Sequence, residues 1–155
     1  MVYGYPGRVE PSDTSKPRAA DSAYMDLEDL PSPGTTLRYE RTFTVEEVEA
    51  FDDLSEDRGE HHQQPDEQGR LLVHGLLTAT MPTKIGGDLD VLARGMTFDF
   101  HRPVYTGQRI GCEVTLDAVD YDEDSDRADI EADIVCHRDG DEVVLTGEFK
   151  GVVVG

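Results

Sequence analysis

Residues 71–87, LLVHGLLTATMPTKIGG, carry apolar side chains on nearly every face of a helix. A helix without a polar face cannot lie on a surface, so the rest of the chain has to enclose it. Gly86 and Gly87 supply the stop, and Pro82 is expected to kink the helix or loosen one turn, because proline brings no N–H. The enclosing material follows at once. RIGCEVTLDAVDY alternates through Ile110, Cys112, Val114 and Leu116, and RADIEADIVCH through Ala128, Ile130, Ala132, Ile134 and Cys136. That period of two marks strands with one face inward. VLARGMTFDFHRPV before them and EVVLTGEFKGVVV after them read as strands too, with turns at Thr106-Gly107, at the acidic DEDSD and at Asp139-Gly140. These four strands are expected to form an antiparallel meander. The sum is an α+β fold, an antiparallel sheet wrapped around one long buried helix.

Upstream, LRYERTF reads as a first strand. In TVEEVEAFDDLS, Thr44 and Glu47 have capping-box spacing, and Val45, Val48, Phe51 and Leu54 form an apolar stripe, so an amphipathic helix is expected. EDRGEHHQQPDEQGR is polar, broken by Gly and Pro, and reads as loop. Residues 1–35 hold five of the eight prolines among Ser, Asp and Gly, the composition of an extended or flexible arm, which leaves 36–155 as one folded domain.

Charge restricts partners and surroundings. The chain has 34 acidic against 14 basic residues, a net charge of -20, with the acids spread from Glu10 to Glu148. No basic stripe exists to neutralise phosphates, so nucleic acid is not an expected partner. Self-repulsion of this size is tolerable at molar salt, where the Debye length falls to roughly 3 Å, and a halophilic protein is the expected source. Cys112 and Cys136 lack metal-type spacing, lie in strand phase and are expected as buried reduced thiols. No apolar run is long enough to span a membrane and the start, MVYGYPGRVEP, has no signal-peptide pattern, so a cytoplasmic protein is expected.

The segments FTVEEVEAFDDLSEDRGEHH, VHGLLTA and RPVYTGQR together resemble the MaoC-like hydratase family, over residues 38 to 153. Members of that family have a hotdog fold, and they typically carry Asp-x-Asn-Pro-x-His in the loop after the short helix. On LSEDRGEHH the family's Asp falls on Asp57 and its His on His62, and the His-Gly opening the central helix falls on His74 and Gly75. The family's Asn-Pro is replaced here by Gly59 and Glu60, and the stretch between His62 and His74 is shorter.

The resemblance implies an acyl-CoA hydratase or dehydratase that pairs as a homodimer or higher homo-oligomer, with the site at the interface and no cofactor besides the CoA of its substrate. Hydration of a 2-enoyl thioester needs an acid, a base and a holder for charge on the thioester oxygen. Asp57 and His62 are the implied acid/base pair and the Gly75 N–H the implied oxyanion donor. His74, Thr80 and Thr83 are candidates for contacting water or substrate. The phosphates of CoA call for cations, with Arg94 and Arg102 the first candidates beside Arg70, Lys84 and Arg109. A metal is not expected: His61 and His62 are adjacent and diverge, and no third ligand is suitably spaced. Two alternatives stand beside the hydratase, a non-catalytic acyl-CoA-binding or partner subunit with a drifted loop, and a hotdog acyl-CoA thioesterase.

Overall fold

The structure, a computed structural model, describes residues 25–155. Most of the arm expected over 1–35 therefore lies outside the described residues. Its last part, from Met25, lies against the domain: Leu27–Asp29 form a 3₁₀ turn, Leu30 is buried in the core, and Gly34 N–H donates to the Leu116 carbonyl.

The elements run β1 (Thr36–Thr42), α1 (Val45–Ser55), α2 (Glu60–Gln63), α3 (Gly75–Thr78), α4 (Thr80–Asp88), β2 (Leu92–Phe100), β3 (Arg109–Asp122), β4 (Arg127–Arg138) and β5 (Glu142–Val154). One five-stranded antiparallel sheet has the order β1-β3-β4-β5-β2. Its inner face carries the alternation read from the sequence: Ile110, Cys112, Val114 and Leu116 of β3 and Ala128, Ile130, Ala132, Ile134 and Cys136 of β4 are all buried. Met81, Ile85 and Leu89 of the central helix region join the same core. Cys112 and Cys136 face each other across β3 and β4 as free, buried thiols. A hydrogen bond to Cys136 and burial push the Cys112 thiol far above its ordinary pKa, so it is inert as a nucleophile.

Several expectations need correction. The strands after the central helix do not form a four-strand meander, because β2 pairs with β5 at the far edge. The link after β2 makes no tight hairpin. It runs beside residues 71–73, where Val73 N–H donates to the Val104 carbonyl (2.8 Å) and Thr106 N–H to the Leu71 carbonyl (3.0 Å). That pairing carries the chain across to β3. The same bonds hold 71–73 extended, so the central helix starts only at Gly75. It is also divided at Ala79 into α3 and α4. Pro82 offers no N–H to the Thr78 carbonyl four residues back, which removes one rung at that break. Lastly, the polar loop holds the short helix α2, and Leu54, expected in the buried stripe, is 82% exposed.

α1 sits where the sequence places it, with both halves of the capping box formed. Glu47 N–H donates to Thr44 Oγ1 (3.2 Å) and Thr44 N–H to Glu47 Oε2 (2.9 Å). Its stripe buries Val48 and, one turn on, a carboxylate, Asp52.

Candidate active site

The C-terminal end of α1 turns sharply at Glu56, whose φ of 60° is left-handed. Ser55 Oγ donates to the Phe51 carbonyl and accepts from Asp57 N–H (3.1 Å), fixing the turn that presents Asp57. Gly59 then starts α2. A Cβ there would lie 2.8 Å from the His61 ring, so the glycine that replaces the family's Asn makes room for His61. α2 in turn buries His62, with Asp57 outside it at 60% side-chain exposure.

His62 Nδ1 is 2.7 Å from the Leu72 carbonyl. A carbonyl only accepts, so Nδ1 carries the hydrogen and Nε2 is left to face Asp57 Oδ2, 3.9 Å away. His74, just before α3, stacks on His62 with ring centroids 3.6 Å apart and planes inclined by 18°. Its Nε2–H donates to the Asp57 carbonyl (3.0 Å). Asp52 Oδ1 lies closer to that nitrogen, at 2.8 Å, but off the line of the N–H, so it makes a close contact and no hydrogen bond of its own. His74 Nδ1 is buried with no partner among the described residues.

Asp57, His62 and His74 line an open cleft of about 650 Å³, together with Gly75, Thr78, Phe100 and Arg102 and an apolar wall that includes Val104 and Leu145. Gly75 is the first residue of α3, where an amide has no intrahelical acceptor, and His74 places no side-chain cap there. Phe100 lies directly over it: a Cβ at Gly75 would meet ring carbons at 2.7–3.0 Å.

Asp57, His62 and His74 bring ligating atoms within 4.8 Å of one another. This is the third group that the sequence did not reveal, yet the set suits a metal poorly. Imidazole lone pairs lie in the ring plane, and two stacked rings direct them side by side and not to a common point. His62 Nδ1 and His74 Nε2 are in addition already donating. The arrangement suits proton transfer at His62 Nε2 and Asp57.

Of the residues expected from the sequence, Asp57, His62, His74, Gly75 and Arg102 meet at this cleft. Thr80, Thr83 and Arg94 do not. Thr80 Oγ1 donates to the Leu77 carbonyl (2.6 Å) and Thr83 Oγ1 to the Ala79 carbonyl (3.0 Å), so both hydroxyls serve their own helix. Arg94 pairs with Asp129 on the exposed sheet (3.2 Å). Arg70 is held by Asp66, Lys84 by Asp88 and Arg109 by Glu40. Asp52, Thr78 and Phe100 escaped the sequence reading. Only Asp52 left a signal there, a carboxylate four residues after Val48 and so on the apolar side of α1.

No family model and no curated protein matches the sequence. Solved structures do match. The (R)-hydratase from A. caviae involved in PHA biosynthesis is 28% identical, with a TM-score of 0.67 over 81% of this chain and 98% of that one. Protein af1124 from Archaeoglobus fulgidus is 24% identical, with a TM-score of 0.68 over 81% and 80%. The MaoC-like dehydratase from Rhodospirillum rubrum is 22% identical, with a TM-score of 0.62 over 84% and 97%. All three share the sheet and central helix described above.

Proposed function

We propose that this chain, whose fold is the hotdog of the MaoC-like dehydratases and (R)-hydratases, reversibly hydrates a trans-2-enoyl-CoA to the 3-hydroxyacyl-CoA. The observation that carries this reading is the 3.9 Å gap between Asp57 Oδ2 and His62 Nε2 at the cleft wall. A water placed there has an acceptor on either side. As its oxygen bonds to C3 of the enoyl group, one O–H breaks and the pair takes that proton. The pair returns a proton to C2, so water adds across the double bond with no net proton consumed. Negative charge passes through the thioester oxygen. The Gly75 N–H at the start of α3 is the donor for it, and one such donor is worth about 3 kcal/mol in the transition state.

Arg102 is the cation for the carrier's phosphates, being the only one of the five candidate cations that lines the cleft among the described residues. No redox cofactor or metal takes part. The working unit in this reading is a homodimer, because β2 is an edge strand among the described residues, with Leu92, Met96 and Phe100 exposed. Its setting is a salty cytoplasm. Among the described residues no helix is long and apolar enough to cross a membrane.

The convergence of Asp57 and His62 favours catalysis over a binding-only subunit, for which the two groups need not face each other. The test is loss of enoyl-thioester absorbance from crotonyl-CoA in molar KCl. The wild type should consume the double bond without releasing free thiol, and Asp57→Asn and His62→Ala should each lower kcat by about 10²–10⁴-fold while staying folded. Absence of turnover by the wild type sinks the hydratase reading, and thiol release from a saturated acyl-CoA replaces it with a thioesterase.

A further inference from the structure

The hydration scheme makes no use of Asp52, although a buried carboxylate is the most costly group to place beside the site. Asp52 projects from α1 at 5% exposure. The polar and charged groups around it are Glu49 and Asp53 of its own helix, His62 and Gln63 of α2, and His74. Among these groups His74 comes closest in charge-pairing distance, Nε2 to Oδ1 at 2.8 Å.

His74 touches both members of the acid/base pair. Its Nε2–H holds the Asp57 carbonyl at 3.0 Å, and its ring is the surface on which the His62 ring lies. If the His74 ring turned, the main chain of Asp57 would lose its donor and His62 would lose its stacking partner together. The Asp57 carbonyl keeps the hydrogen on Nε2, and Asp52 Oδ1, 2.8 Å from the same nitrogen, closes that end of the ring against rotation. With Nδ1 unpartnered, nothing else within the described residues fixes the ring by hydrogen bonding.

We propose that Asp52 is a positioning residue for Asp57 and His62, acting through His74. This rests on the reading of those two residues as the acid/base pair. Asp52→Leu keeps the volume and removes the acceptor, whereas Asp52→Asn keeps an oxygen facing Nε2.

In crotonyl-CoA hydration, Asp52→Leu should lose kcat on the order of 10²-fold, the scale of a small misplacement of reacting groups, with KM within about twofold of wild type. Asp52→Asn should stay within about fivefold of the wild-type kcat. Long-range ¹H–¹⁵N spectra of the histidine rings read the couple directly. The His74 Nε2–H signal and the His62 ring signals should both move in Asp52→Leu, as the ring loses its fixed orientation, and both should stay near wild type in Asp52→Asn. Should Asp52→Leu not fold, His74→Phe keeps a stacked ring without the hydrogen bond and must show the same kcat loss. A folded Asp52→Leu or His74→Phe with wild-type kcat overturns the proposal, as do unchanged ring signals in Asp52→Leu. If the wild type does not hydrate crotonyl-CoA, the hydration reading fails by itself, and the ring spectra alone decide the role of Asp52.

Discussion

Gly75→Ala separates the two reasons a glycine can stand at the start of α3. The new methyl would sit 2.7 Å from Phe100 Cε1, 2.9 Å from Cζ and 3.0 Å from Cδ1. Ordinary contact begins near 3.4 Å, so the ring edge must retreat by about 0.7 Å. Phe100 is 53% exposed in the single chain, so little packing within the chain opposes the retreat. Against it stands the gain of replacing glycine in a helix, roughly 0.5–1 kcal/mol at most. Net stability should therefore change by less than about 1 kcal/mol, a Tm shift of no more than about 4 °C for a chain of this size.

Activity should behave differently. A methyl beside the amide blocks the close approach of the thioester oxygen, and losing one oxyanion donor costs on the order of 10²–10³-fold in kcat. The assay pairs a thermal melt with crotonyl-CoA hydration in the same salt. Near-wild-type kcat in the folded variant would show that the glycine serves only to seat Phe100, and the oxyanion role would be wrong. Gly75→Ala combined with Phe100→Ala then locates the cause of a loss: recovery assigns it to the displaced ring, and no recovery assigns it to the methyl itself.

Two further outcomes follow from the electrostatics. The Thr44 backbone N–H and the Arg41 guanidinium hold the Glu47 carboxyl below its ordinary range, so its contribution exists only where it is ionised. Glu47→Gln should cost up to about 1 kcal/mol in urea melts at neutral pH. The difference should disappear as pH falls below the ordinary value near 4.3 and through the lowered folded value; an equal difference at pH about 3 would refute the capping assignment. Burial, then Asp133, Glu131 and Glu148, raises the Asp117 carboxyl, meaning that its ionised form is disfavoured in the folded state. Asp117→Asn should raise Tm, more at low salt than in molar KCl, where the Debye length contracts from about 10 Å to about 3 Å. A gain that ignores salt would exclude charge repulsion as its cause.

What the sequence made legible depended on whether a pattern belonged to side chains or to backbone. β3 and β4 were legible because one face of each is buried along most of its length, and burial on one face writes a period of two. The place of β2 was not. Its residues are almost all exposed in the single chain, so no alternation tells which neighbour it takes. Its position beside β5 follows from the path of the link after it, set by amide-to-carbonyl bonds to residues 71–73 that any side chains permit. Those bonds also explain the misplaced start of the central helix, since a short apolar run looks alike whether it is buried as helix or as extended chain.

The site divides in the same way. Asp57, His62 and the His74-Gly75 pair were legible through the spacing of a resemblance, whereas the cation for a phosphate was not, because what matters is which arginine remains uncompensated after the fold pairs the rest. In a chain with 34 acids and 14 bases, most cations end beside a carboxylate, as Arg94 does with Asp129 and Arg109 with Glu40. Arg102 differs. Its Nη1 donates to the neutral Val143 carbonyl (2.9 Å), and the nearest carboxylate, Glu142, stands 3.7 Å from its Nε. Glu142 is already engaged by Arg138 Nε at 2.9 Å. Two guanidinium groups thus share one carboxylate, which leaves Arg102, the arginine that lines the cleft, less fully compensated than Arg94 or Arg109. On a surface this acidic, that weaker compensation is why Arg102 is the cation we propose for an anionic carrier.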